Sequence, residues 1–203
     1  MFRYIRNNIV TIRQSIGLDI HFMDDDPMMI SGVHLKALKG KVQKIKHFDR
    51  IHTFKELQTQ LPKNIPVAVT LNGKGVLLRS NKGKATDNLV NTLFPGANPQ
   101  DFVYTVHDME GVDSLVYVSR KSFTDQVVKD LTASGIRFIS LSLGSGSVDI
   151  VRPFMNKWNI EIDTPTLTIG INDRKVFSVK QQAYDKATYN EIEIGEDRYR
   201  TNH

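Results

Sequence analysis

The residues of this chain that could do chemistry are few and scattered. His47-x-Asp49-x-x-His52 offers three metal-ligating side chains in one short stretch. The apolar pattern over 42–48 predicts a strand there, which carries the chain away before His52 and sets no two histidines four apart on a helix. Asp24-Asp25-Asp26 lacks the alternating ligands and the glycine of a calcium loop and reads as a solvated turn. Gly144-Ser145-Gly146 follows an apolar run, where backbone N–H groups could meet a phosphate. The dinucleotide pattern would need glycine at 149, where Asp149 would repel phosphate, so a turn with serine capping is the expected role. Leu71-Asn72-Gly73-Lys74-Gly75 has a lysine but not the Walker spacing, and neither Gly-x-Ser-x-Gly nor His-Glu-x-x-His occurs.

With no cysteine among 203 residues, disulfides, thiolate zinc sites and thiol catalysis are excluded. Hydrophobic residues at 40% and charged residues at 24% are those of an ordinary globular protein with room for a core. No apolar run approaches the length that crosses a bilayer, and Arg3, Arg6, Asn7 and Asn8 break up any signal-peptide core. The net charge of +5 is concentrated between Met29 and Glu56. There Lys36, Lys39, Lys41, Lys44, Lys46, Arg50 and Lys55 face only Asp49 and Glu56. Such a patch suits an acidic partner protein, nucleic acid or an acidic membrane surface, and equally a solvated lysine-rich hairpin. Nucleic acid wants aromatics among the cations, and Phe48 and Phe54 are needed for the core. Trp158 reads as a partly buried anchor.

The element these residues hang on spans 113–146. Residues 114–119 read as a strand, Ser122 as the N-cap of a helix with Asp125 closing the box, and Phe123, Val127 and Leu131 as its buried stripe. Gly135 stops that helix, and 136–143 reads as a strand covered on both faces. Together they predict a βαβ unit with the two strands parallel neighbours in one sheet.

Before it, Phe2, Ile5, Ile9, Ile12 and Ile16 form a helical stripe, although the β-branched run near Ile9 leaves a strand open. Residues 17–22 are short and apolar. Strands at 30–38 and 42–48 join through Lys39-Gly40-Lys41, and Thr53 caps a short helix that Pro62 ends. Asn72-Gly73 predicts a hairpin between 67–71 and 75–79, followed by a polar loop at 81–86 and a helix from Asp87 to Phe94. Residues 102–106 are a strand turning back through 109–112. Beyond the unit come a helix over 148–156, a hairpin of 167–171 with 176–179, and a last strand near 189–194. The end, 196–203, has no closing element.

This order resembles the actin-like, ribonuclease H-type fold of the type II secretion platform protein GspL and the pilus protein PilM. Gly17-Leu18-Asp19-Ile20 is similar to that family's opening strand, and Gly32 through Lys41 to its second strand and turn. Leu61-Pro62 with Val67-Ala68-Val69-Thr70-Leu71 resembles the fourth strand. Ala133-Ser134-Gly135-Ile136 resembles the PilM-type helix end, and Leu167-Thr168-Ile169-Gly170 the strand that opens the second half.

The resemblance implies an α/β fold: a mixed sheet flanked by helices, with an interleaved smaller lobe and a truncated second half. The first lobe would cover 1–165, with a hairpin subdomain inserted near 66–110, and an incomplete second lobe 166–203. Nucleotide-binding members carry Asp-x-Gly at the end of each half's first strand. Here the two places read Asp19-Ile20-His21 and Thr168-Ile169-Gly170, so the resemblance implies a degenerate nucleotide site, no cofactor and no metal. The function it implies is a non-catalytic scaffold at the cytoplasmic face of a secretion or pilus assembly. Its partner would be the motor ATPase, and a homodimer through sheet edges or the N-terminal helix stays open. Lys36, Lys41, Lys44, Lys46 and Arg50 are the docking face this reading chooses. A nucleotide-dependent ATPase with unusual motifs and a basic nucleic-acid-binding protein are the alternatives. Any membrane anchor would lie beyond His203.

Overall fold

Gln14–Phe22 alternates apolar and polar side chains, and this pattern makes it a strand (β1) with Ile16, Leu18 and Ile20 fully or almost fully buried on one face. The computed structural model describes residues 13–24, 28–38, 41–82, 89–108, 114–147, 159–163, 167–172, 175–181, 191–194 and 197–200. Most of the helical stripe expected before β1 lies outside these residues. Its last member, Ile16, is on β1, because period-two burial holds from Gln14 onward.

β1 pairs antiparallel with Met29–Leu38 (β2), which pairs antiparallel with Lys41–Ile51 (β3). Phe54–Gln60 (α1) follows, with the Thr53 hydroxyl accepting from the Glu56 amide at 3.1 Å, and Pro62 stands one residue past its C-cap, Leu61. Val67–Gly73 (β4) then lies parallel to β1 on the other side. β1, β2 and β4 thus stand where the resemblance places the opening, second and fourth strands.

From β4 the structure departs from the sequence reading. Val76–Asn81 (β5) does not fold back on β4. It enters a separate three-stranded sheet with Phe102–Asp108 (β6) and Ser114–Arg120 (β7), in the order β5-β7-β6. Asn72-Gly73 is therefore a crossing between sheets, not a hairpin. Gly73 has φ of +79°, and a Cβ there would collide with the Phe22 carbonyl oxygen. The adjoining Lys74 amide donates to that oxygen at 2.8 Å.

Lys121–Ala133 (α3) leads from β7 to Phe138–Leu143 (β8), and β8 pairs parallel with β4, giving a five-stranded sheet in the order β3-β2-β1-β4-β8. Leu89–Leu93 (α2) lies between β5 and β6 in the chain. The expected βαβ unit is thus corrected: its two strands sit in different sheets. Their burial is the reverse of the expectation as well. β7 is buried at every residue from Ser114 to Ser119, whereas β8 is, among the described residues, an edge strand with Ile139 66% exposed. Ser122 is not the cap of α3; Arg120 holds that place and makes no side-chain capping bond. The far end is as read. The Gly135 and Ile136 amides donate to the Thr132 and Leu131 carbonyls, a Schellman closure with Leu131 and Ile136 both buried.

One apolar cluster joins Ile16, Leu18 and Ile20 of β1 with Val67, Val69 and Leu71 of β4, Leu57 of α1 and Val127 and Leu131 of α3. A second, of Leu89, Val116 and Val118, lies on the other face of β7. Farther on, Leu167–Asn172 (β10) is flanked by Asn159–Asp163 (β9) and Lys175–Gln181 (β11), all antiparallel, the latter pair as the sequence predicts. Glu191–Ile194 (β12) pairs with Asp197–Arg200 (β13), a closing strand the sequence reading omits. The helix expected over 148–156, and Trp158, fall outside the described residues.

Candidate functional site

Opposite the apolar face of β1 lies a polar one. The register aligns Ser31 of β2, Asp19 of β1, Thr70 of β4 and Ser142 of β8 in one row across four strands. The Thr70 and Ser142 hydroxyls are 3.1 Å apart. One step along, Asn72 pairs in register with His21, and its side-chain N–H donates to the Asp19 carboxylate at 2.6 Å. Burial pushes the Asp19 carboxyl up from 3.8 to about 6, with the Asn72 bond pulling the other way. Burial also pushes the His21 imidazole below its usual 6.5, and its Nδ1 is buried with no hydrogen-bond partner. The ring lies against Gly73, where a Cβ would stand 3.0 Å from its Cε1 and Nε2.

The resemblance sets the first Asp-x-Gly place at these two residues, and the structure leaves no open space there. The room a glycine would leave at 21 is taken by an imidazole ring, and the aspartate is bound by an amide. Thr168 and Gly170, the second place, are on the central strand of the β11-β10-β9 sheet, with Gly170 buried beside a register shift. Among the described residues no group of three His, Asp or Glu side chains is placed to hold a metal ion.

The basic residues that cluster in the sequence do not share one face. Alternation puts Lys36 and Lys46 on the α1 side of the sheet and Lys44 on the other. The Lys46 ammonium donates to the Gln60 carbonyl at 3.3 Å and lies 4.8 Å from the Phe48 ring centroid. Arg50 takes φ of +53° at a bulge, its amide donating to the Asp49 carboxylate at 2.9 Å. Lys41 begins β3.

One polar cluster escapes sequence reading altogether. Ser145 is buried rather than capping, and its hydroxyl donates to the Tyr117 phenol at 3.1 Å and is 3.4 Å from His107 Nε2. The His107 and Tyr117 rings meet edge to face at 5.7 Å. Gly144, at φ +60°, lets the Tyr117 ring press on the backbone there. The only hint was a tyrosine in a fully apolar strand, since a buried phenol needs a partner. Sealed from solvent, this Ser–His pair is structural.

No protein-family model matches the sequence, and no curated protein does. Solved structures match by fold. The cytoplasmic domain of EpsL, an inner membrane component of the type II secretion system of Vibrio cholerae, is similar with a TM-score of 0.52 and 13% identity, over 82% of this chain and 71% of that one. A chain of the PilM–PilN type IV pilus biogenesis complex is similar with a TM-score of 0.56 and 13% identity, over 83% of this chain and 61% of that one. The fold is actin-like. The resemblance read from Gly17-Leu18-Asp19-Ile20 and the strands after it is borne out at the level of fold. Within the actin-like fold, Asp19 and His21 stand at the end of the central strand β1, beside the crossing from β4 to β5.

Proposed function

We propose that this chain is a non-catalytic scaffold domain of a secretion or pilus assembly platform, acting at the cytoplasmic face of the membrane and docking a protein partner such as a motor ATPase. The observation that supports the reading is the end of β1, where the His21 ring lies against Gly73 and the Asn72 amide donates to Asp19. A nucleotide-fed member of the fold would need that space open. The likeness to an inner-membrane secretion component and to a pilus biogenesis complex supports an assembly role. In this reading 1–165 forms the first lobe, the subdomain expected near 66–110 being the small sheet of β5, β6 and β7, and 166–203 begins a second. Among the described residues no helix is long and apolar enough to cross a membrane.

A thermal-shift titration with Mg-ATP tests it. A ligand at about a hundred times its Kd, bound only to the native state, stabilises by about 2.7 kcal/mol. The scaffold reading expects no rise in Tm; a saturable rise of several degrees overturns it in favour of an ATPase.

A further inference from the structure

One part of the five-stranded sheet projects beyond the rest. β2 pairs with β1 as far as Lys36 opposite Gln14, and the Ala37 amide donates to the Arg13 carbonyl at 2.8 Å. Past that point, among the described residues, β2 and β3 continue as a two-stranded arm, with Ala37 opposite Val42 and Leu38 opposite Lys41. A ribbon of two strands gains little from its own packing. The arm and the stretch of β3 at its root nevertheless carry large apolar side chains in water. Leu38, Val42 and Ile45 are 43%, 41% and 49% exposed, three of the six exposed large hydrophobics among the described residues. Every residue from 42 to 47 is exposed.

The outer edge of β3 has no neighbouring strand among the described residues. Register shifts leave Ile45 without a partner, and set Asp49 and Arg50 together opposite Ser31. Bulges of this kind guard an edge against indiscriminate pairing. They leave the regular edge at residues 41–44, at the tip of the arm. Charge decides what can lie there. Residues 36–50 hold six lysines and arginines and one acid, Asp49. A second copy laid along this edge would set like charges across a strand pair, which is destabilising. An acidic chain meets the opposite situation.

We propose that the β2–β3 arm is the docking edge for an extended, acidic segment of a partner protein. Its backbone lies along residues 41–44, with Val42 and Lys44 beneath one of its faces and Leu38 and Lys36 beneath the other, so that each face offers it one apolar side chain and one cation. Added strands draw affinity from main-chain hydrogen bonds, while the charges set rate and partner choice. This takes from the scaffold reading only that the partner is a protein, and adds where it binds and what chemistry it has.

The probe is an end-blocked, fluorescently labelled peptide of alternating glutamate and valine, about eight residues long to match a strand, with a lysine–valine peptide as control. The glutamate peptide should bind the intact chain, more weakly as salt rises, and should protect the amides of 41–44 from hydrogen exchange. Leu38→Ser with Val42→Ser, and separately Lys36→Glu with Lys44→Glu, should each weaken binding about tenfold or more, with the Tm of each variant measured beside it to show that it is folded. Absence of binding, equal binding of the lysine peptide, or indifference to both double variants overturns the proposal. Self-association that Leu38→Ser with Val42→Ser abolishes, without peptide binding, assigns the arm to a second copy instead. The Mg-ATP titration is independent, so either conclusion can fail while the other stands.

Discussion

At the scale of single residues, Asp19 and His21 give the protein two opposed pH dependences. The Asp19 carboxyl titrates higher in the folded chain than unfolded, so its ionisation disfavours folding, and its contribution falls as pH rises from about 4 to about 6. His21 titrates lower when folded, so it disfavours folding as pH drops through 6.5, where the unfolded chain takes up the proton first. Asp19→Asn keeps the oxygen that accepts from Asn72 and removes the charge. It should stabilise the protein at pH 7.5 by about 1–3 kcal/mol and abolish the loss of stability between pH 4 and 6, as read by urea melts across pH. Equal slopes in both proteins would rule Asp19 out as the source. Gly144→Ala sets a Cβ into the Tyr117 ring at a backbone angle L-residues avoid. It should cost about 2–4 kcal/mol in the same assay. Asp19 could be picked out from the order of residues around it. Asn72, which holds it, is 53 positions away, and no local pattern announces that bond.

At the scale of elements, local chemistry was read well where it is self-contained and poorly where it depends on a distant neighbour. Thr53 caps α1 as its type and place predict, and Thr53→Ala should cost about 1 kcal/mol in thermal melts. The start of α3 was misplaced by two residues. Both Arg120 and Ser122 follow a strand closely, and the choice depends on how far β7 continues its ladder with β6, which pairs Arg120 with Phe102. The uncapped start makes a gain available. Arg120→Asp supplies both a capping oxygen and a charge suited to the helix N-terminus, and should stabilise by about 0.5–1 kcal/mol in thermal melts. The pairing of β7 with β8 failed for a comparable reason. An apolar run shows that a strand is buried, but not which sheet buries it, and a helix of thirteen residues can link two sheets as easily as two strands of one.

At the scale of the whole molecule, the parts legible beforehand were the central strands and their order, because β1 to β4 follow one another with short connections. The second sheet was not, since it is assembled from three separate stretches around β7. Tyr117 ties that sheet to the turn after β8 through Ser145. Tyr117→Phe should cost about 1–2 kcal/mol and raise the hydrogen exchange of residues 143–145 more than that of β1; a uniform rise would mean global destabilisation instead. A related consequence follows from the crossing at Gly73. The chain leaves the large sheet for the small one within three residues, and the Lys74 amide is fastened there to the last carbonyl of β1. So short and stiff a coupling has no slack: any tilt of the small sheet tugs on the tail of β1, three residues from Asp19 and next to His21. Mechanical strain arriving at either sheet would be felt first at Asp19 and His21.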